Sequence, residues 1–381
     1  MDLNDYFKPV SLEKPDPSFR FSDAMFGRNI RINTPSSPID EISNYNLAIL
    51  GVPEDRNSLN KGSAMAPDRI RSRLYELYRV NEKLKIIDLG NLKSTATAED
   101  TYFGIRDVMT HLLNNQVTVI LLGGSQDITH GVFMAYEQRT SLVNMVTVDS
   151  RLDMEEGPLS SASWVLPLIG NSRLFKYTTM GHQQYLVNAL QVLKVEEKGF
   201  DVIRLGTLRS NLALAEPLLR DAHLVSVDIA AIKQSDAPGT RFSSPNGLMA
   251  DEACQLARFA GLSDRVSCFG VYEVNPEYDS QDLTAHLAAQ TIWYFTEGYS
   301  MRKKERPSHD NPDFKVFMVN HRDMEHALTF YKSLVTGRWW MEIPEMKTGS
   351  QILVACSQEE YQQACNHDIP EMWWKAFQRI N

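Results

Sequence analysis

The sequence predicts an α/β protein with a doubly wound, mostly parallel sheet, and two observations predict it. Short apolar runs alternate with longer amphipathic segments from about Asn46 to Asn320, and each run is five to seven residues of continuous aliphatic character. A strand covered on both faces has no polar side to present, so continuous runs mark buried parallel strands. Regular alternation of strand and helix implies right-handed crossovers, which lay helices on both faces of one sheet.

The strand candidates are Leu47–Val52, Lys85–Leu89, Val117–Leu122, Leu142–Val148, Phe200–Leu205, His223–Val227, Val266–Val271 and Phe314–Val319. The helix candidates between them are Pro67–Leu77, Glu99–Leu113, Ile128–Gln138, Gln183–Val192, Leu212–Leu219, Asp251–Ala260 and Leu283–Phe295. Residues 1–44 are rich in Pro, Ser and Asp and read as an N-terminal arm, 45–320 as the α/β domain, and 321–381 as an extension packed on it. The extension carries two tryptophan pairs, Trp339-Trp340 and Trp373-Trp374, expected to pin it to the body or to face a partner.

Composition excludes several classes. Hydrophobic residues make up 43% and charged residues 23% of 381, so a packed core forms and disorder is excluded. A net charge of −9 disfavours a phosphate backbone, so no nucleic acid is expected. The four cysteines, Cys254, Cys268, Cys356 and Cys365, show no zinc-type spacing and suit a reducing compartment. The acidic start has no signal-peptide pattern, and no apolar run is long enough to span a membrane, so a cytoplasmic location is expected.

Chemistry-bearing residues gather at strand ends. Val117–Leu122 runs into Gly123-Gly124-Ser125-Gln126-Asp127, and Leu142–Val148 into Asp149-Ser150-Arg151-Leu152-Asp153. His223–Val227 runs into Asp228-Ile229-Ala230, and Val266–Val271 into Tyr272-Glu273-Val274-Asn275. Ligands of open α/β sheets bind beyond the carboxyl ends of the strands. Asp149, Asp153, Asp228 and Glu273 should therefore meet in one crevice. A single Asp after a strand is commonly a helix cap. Several together repel unless a cation, metal or guanidinium, joins them.

These clusters resemble, in order and spacing, the signature of arginases, agmatinases and formimidoylglutamases, the ureohydrolase family. Ser226-Val227-Asp228 precedes Ala237-Pro238-Gly239-Thr240, and Glu273-Val274-Asn275-Pro276-Glu277-Tyr278-Asp279 matches a further family motif. Gly51-Val52-Pro53-Glu54-Asp55 and Asn60-Lys61-Gly62 place the likeness nearest the formimidoylglutamase branch. The resemblance covers roughly 45 to 320 and implies a three-layer α/β/α sandwich with a mostly parallel sheet of about eight strands. It also implies trimers or hexamers, hence a homo-oligomer. A protein partner of unknown identity is left open.

In that family two manganese ions bridged by hydroxide are held by two histidines and four aspartates. Carried over one position at a time, the first histidine is Gln126 and the second is Arg151, while the last aspartate is Ala230. Asp149, Asp153 and Asp228 are retained. The resemblance thus implies at most one degenerate metal site, made by Asp149, Asp153, Asp228 and Gln126. Arg151, Ala230, Glu273 and Asn275 line the pocket. Arg151 is expected to fork onto Asp149 and Asp228 where the second ion sits in relatives. The family's proton-shuttling histidine has no counterpart in Ser160-Ser161-Ala162-Ser163-Trp164.

No catalytic residue and no cofactor are expected on this basis, with one manganese, magnesium or calcium ion as the alternative. The expected function is a catalytically impaired or inactive ureohydrolase relative serving as a scaffold, binding or sensing protein. The alternative is a metal-dependent hydrolase of linear amidines with one metal or a rearranged site.

Overall fold

A computed structural model describes residues 1–11, 22–139, 142–321 and 327–381. Residues 12–21 of the expected arm lie outside the described residues. The strands are β1 (Phe7–Lys8), β2 (Arg31–Ile32), β3 (Leu47–Val52), β4 (Ile86–Leu92), β5 (Thr118–Gly123), β6 (Val143–Val148) and β7 (Leu174–His182). They continue with β8 (Asp201–Arg204), β9 (Leu224–Asp228), β10 (Cys268–Tyr272), β11 (Phe314–Val319), β12 (Leu328–Ser333), β13 (Trp339–Pro344) and β14 (Gln351–Cys356).

The central sheet runs β1-β4-β3-β5-β10-β9-β6-β7-β8, with β2 also paired to β4. Strands β3 to β10 all run parallel to one another, and β1 pairs antiparallel with β4. The two-residue strands β1 and β2, from the N-terminal arm, attach to β4. Side chains alternate between faces, so Leu47 and Ile49 join one apolar layer while Ala48 and Leu50 join the other. Helices Ala66–Glu76, Ala250–Leu262 and Leu283–Ser300 cover the first face. Helices Ala98–Asn114 and Ile128–Glu137 cover the second. Helix Ala98–Asn114 starts where Thr97 and Asp100 cap one another and buries Ile105, Val108, Met109 and Leu112, spaced three or four apart.

Two expectations about elements are corrected. Phe314–Val319 is not in the central sheet: as β11 it pairs antiparallel with β12, opening a separate four-stranded sheet, β11-β12-β13-β14. Its place in the count is taken by β7, Leu-Phe-Lys-Tyr-Thr-Thr-Met-Gly-His. Buried Thr178 and Thr179 conceal that strand's apolar character. The helix expected over 183–192 lies at Ala189–Glu197, because the Asn188 side chain accepts from the Leu190 N–H and starts it there.

The second sheet docks on the body through helix Ala215–Asp221. Asp221 accepts the Ala355 N–H at 2.7 Å, and Arg220 donates to the Cys356 carbonyl at 2.9 Å while stacking on Trp340 at 4.3 Å. Trp339 and Trp340 alternate across β13, so one enters the sheet's layer under helix Glu371–Ile380 and the other faces the body. Trp373 is buried and donates to the Glu342 carbonyl at 3.0 Å, leaving Trp374 as the exposed member of the four. Among the described residues, no helix is long and apolar enough to cross a membrane.

One polar knot ties helix Ala66–Glu76 to β4. Arg71 is fully buried and binds Asp88 at 2.8 and 3.2 Å, Asn91 at 3.0 Å and Asp68 at 2.7 Å, and Tyr75 donates to Asp88 at 2.8 Å. Removing one partner of a buried pair strands the other charge. Arg71→Leu is therefore expected to cost about 3–5 kcal/mol in urea unfolding. A loss under about 1 kcal/mol would show that the pair behaves as a surface one.

Candidate functional site

Four adjacent central strands, β5-β10-β9-β6, deliver the site. Val148 pairs with Val227, so Asp149 and Asp228 leave the sheet side by side. Val271 pairs with Leu122 and Tyr272 with Asp228, which sets Glu273 one step beyond, against the loop holding Gln126. That loop needs glycine. A Cβ on Gly124 would lie 2.1 Å from the Glu54 carbonyl oxygen, the group that accepts the Ser125 N–H at 2.8 Å.

The structure brings Gln126, Asp149, Asp153, Asp228 and Glu273 together, all buried. One terminal atom of the Gln126 amide lies 3.0 Å from both Asp149 Oδ2 and Asp153 Oδ2, and the other lies 3.1 Å from Ser226 Oγ. With nitrogen toward the acids, the amide donates to both and accepts from Ser226. With oxygen toward them, it donates to Ser226 and three oxygens face one another. The second arrangement needs a cation or a proton between the oxygens. Oxygens about 3 Å apart are the neighbouring-ligand spacing of an octahedral ion with metal–oxygen bonds of about 2.1 Å. Among the described residues, no three His, Cys, Asp or Glu side chains form a metal cluster by themselves.

The acids pay for their crowding in proton affinity. Burial, then the neighbouring Asp153, raises Asp149 far above the usual carboxylate range. Burial, then Asp149, does the same to Asp228, and burial, then Asp228, to Glu273. Asp153 is pushed up to about 7 by burial and by the Asp228 charge, against hydrogen bonds from its partners that act the other way. Asp153 and Glu273 also hold left-handed backbone, φ 49° and 63°, a conformation unfavourable for residues other than glycine and commonly kept at functional sites.

Arg151 corrects an expectation. It makes no ion pair with Asp149 or Asp228 among the described residues. Its backbone N–H goes to Asp149 Oδ1 at 2.8 Å, and its guanidinium lies 5.0 Å over the Phe242 ring, from where its charge opposes the rise in proton affinity of Asp149 and Asp228. Ala230 likewise gives its N–H to Asp228 Oδ1 at 2.7 Å. The Asn275 amide is spent on Asn60 at 2.8 Å and the Lys61 carbonyl at 2.7 Å, so it staples two loops.

Several contributors escaped the sequence reading. Glu273 receives the Gln126 N–H at 2.8 Å and Asn60 Nδ2 at 3.0 Å, with Ser58 Oγ at 3.3 Å. Trp164 Nε1 holds Asp153 at 3.0 Å. The Asn60-Lys61-Gly62 motif was a signal for Asn60, whereas nothing in the sequence marks Ser58, Trp164 or Phe242.

An eight-stranded parallel core with an acidic crevice at its carboxyl rim defines a ureohydrolase-type α/β protein. The chain belongs to the arginase family, whose profile matches residues 45–297. It is 26% identical over 256 residues to a formimidoylglutamase of Corynebacterium efficiens, covering 64% of this chain and 81% of that protein. With a formimidoylglutamase of Staphylococcus haemolyticus it shares 22% identity over 264 residues, covering 65% and 85%. Trypanosoma cruzi formiminoglutamase with Mn2+ superposes with a TM-score of 0.65 at 22% identity, covering 69% of this chain and 96% of that one. Bacillus subtilis formimidoylglutamase gives 0.68 at 19%, covering 77% and 97%. The expectation of no cofactor is thereby corrected: the structure with Mn2+ implies manganese as the cofactor of this family.

A carboxyl group whose pKa rises on folding stabilises the fold below its unfolded pKa, and that stability is lost as pH climbs through the folded value. In EDTA, the thermal midpoint should thus fall from about pH 4 to about pH 7, the value for Asp153. The fall should shrink in Asp153→Asn. A flat profile, or one Asp153→Asn leaves unchanged, would refute this.

Proposed function

We propose that this chain is a manganese-dependent hydrolase of linear amidines, of the formimidoylglutamate type, working with one metal ion. Asp149, Asp153, Asp228 and Gln126 would hold the ion. The observation that carries the reading is the Gln126 amide set against two carboxylate oxygens at 3.0 Å, a trio that a divalent cation satisfies. The formimidoylglutamase names of the relatives support the substrate class. The residues at the second ion's position do not fit an ion: Ala230 offers a methyl group, and Arg151 brings a positive charge.

A bound divalent ion lowers the pKa of water and polarises the carbon under attack. The chain's own residues do the rest. Glu273, clamped by the Gln126 N–H, Asn60 and Ser58, presents a fixed acceptor to the N–H groups of an amidine. Arg151, half-exposed on Phe242, offers a guanidinium fork to a substrate carboxylate, which a glutamate-derived amidine carries. Burial of the acids excludes water and strengthens the contacts of Glu273.

A second reading, a family member that binds without turning over, is favoured by one observation: three of six metal-ligand positions are substituted, by Gln126, Arg151 and Ala230. Metal content and turnover separate the two. After dialysis against manganese, one equivalent should remain. Formimidoylglutamate should be hydrolysed, with activity lost in EDTA and lowered about 100-fold or more by Asp149→Asn. One bound manganese with no hydrolysis of formimidoylglutamate, arginine or agmatine establishes the second reading.

The combined change Gln126→His, Arg151→His and Ala230→Asp should raise manganese content from one to two per chain. A folded triple variant that still takes up one would show that these positions do not correspond to the second ion's ligands.

A further inference from the structure

At the opposite end of the sheet from the acidic crevice, the body and the second sheet enclose a cleft of about 430 Å³. The body contributes the amino ends of β6 and β9, with Phe175, Lys176, Asp201 and Asp221; the extension contributes Leu353, Met372, Lys375, Ala376, Arg379 and Ile380. Half of this lining lies beyond residue 297, where the family match ends, so the cleft is a property of this chain's extension. Its volume falls within the range of small-molecule sites, which pair apolar walls with a few convergent polar groups.

One of those polar groups is left in need. Arg379 stacks on Phe200 at 3.9 Å and has no carboxylate within ion-pair distance among the described residues. The cleft's other cations are matched: Lys375 meets Asp201 at 2.9 Å, Lys176 meets it at 4.0 Å, and Arg265 meets Asp221 at 3.5 Å. Glu345 is turned to Thr348 and Ser350. Asp221 is buried, one oxygen taking the Ala355 N–H and Oδ1 facing the Arg265 guanidinium. An unpaired guanidinium asks for an anion. Phe175, Leu353, Met372 and Ile380 supply apolar wall between them.

We propose that this cleft binds an amphiphilic carboxylate: a small molecule with an apolar body and a terminal carboxylate, as in N-acyl amino acids. The carboxylate pairs with Arg379, and the acyl chain lies along the apolar wall. The site is separate from the acidic crevice and does not depend on the reaction assigned there.

The test is titration calorimetry of the full chain with N-octanoylglycine, its neutral amide N-octanoylglycinamide and octylamine. The acid should bind saturably at one site with Kd below about 1 mM, and the amide and amine at least about tenfold more weakly. Arg379→Ala should weaken the acid about tenfold or more while leaving the amide unchanged. Ala376→Trp, which fills the cleft, should abolish binding of the acid. No saturable binding of the acid, equal binding of acid and amine, or undiminished binding in Ala376→Trp would each overturn the proposal. The comparison of the three ligands on the unaltered chain decides it even if a variant fails to fold.

Discussion

The repulsion among four buried carboxylates is the constraint around which the centre of this protein is arranged. Asp149, Asp153, Asp228 and Glu273 reach one crevice because four neighbouring parallel strands end level with one another. Several nearby donors hold them there: the N–H groups of Gln126, Arg151 and Ala230, the indole of Trp164 and the amide of Asn60. Two of the acids also hold left-handed backbone. Donors alone leave the acids with raised proton affinity, and a cation resolves the same crowding with the Gln126 amide turned oxygen-inward.

The second constraint is the seam between the two sheets. Helix Ala215–Asp221 ends in two charged residues that meet Glu216 and Arg265 in the body and reach the second sheet as well. Arg220 finds the Cys356 carbonyl and the Trp340 ring, and Asp221 finds the Ala355 N–H. Buried polar groups are costly without partners, so these contacts make the antiparallel sheet part of the folded unit. Arg379 on Phe200 and Lys375 on Asp201 continue the seam from the last helix.

Much of this was legible in the sequence, and the misses have physical causes. Continuous aliphatic runs exposed seven of the eight parallel strands. The eighth, β7, hid behind buried threonines, whose hydroxyls mask β-branched packing. Phe314–Val319 has strand composition, but composition does not say which sheet a strand joins, and a turn to antiparallel pairing moved it to another. The acid cluster was readable because strand ends at one rim must converge. The direction of Arg151 was not, since its guanidinium stacks on Phe242, which a distant loop brings beneath it. Phe242, Ser58 and Trp164 come from loops whose approach no local pattern encodes. The cleft under the extension was invisible for the same reason: it exists only once the final helix has docked.

The seam has a consequence for the order in which the chain can mature. Asp221 depends on Ala355, which leaves the ribosome 134 positions later. At about 5–20 residues per second, that interval is roughly 7 to 27 s. Throughout it the parallel body has an open flank on the nascent polypeptide, and the strand that carries Ala355 closes it. A ribosome that stops within that interval releases a body whose flank is bare.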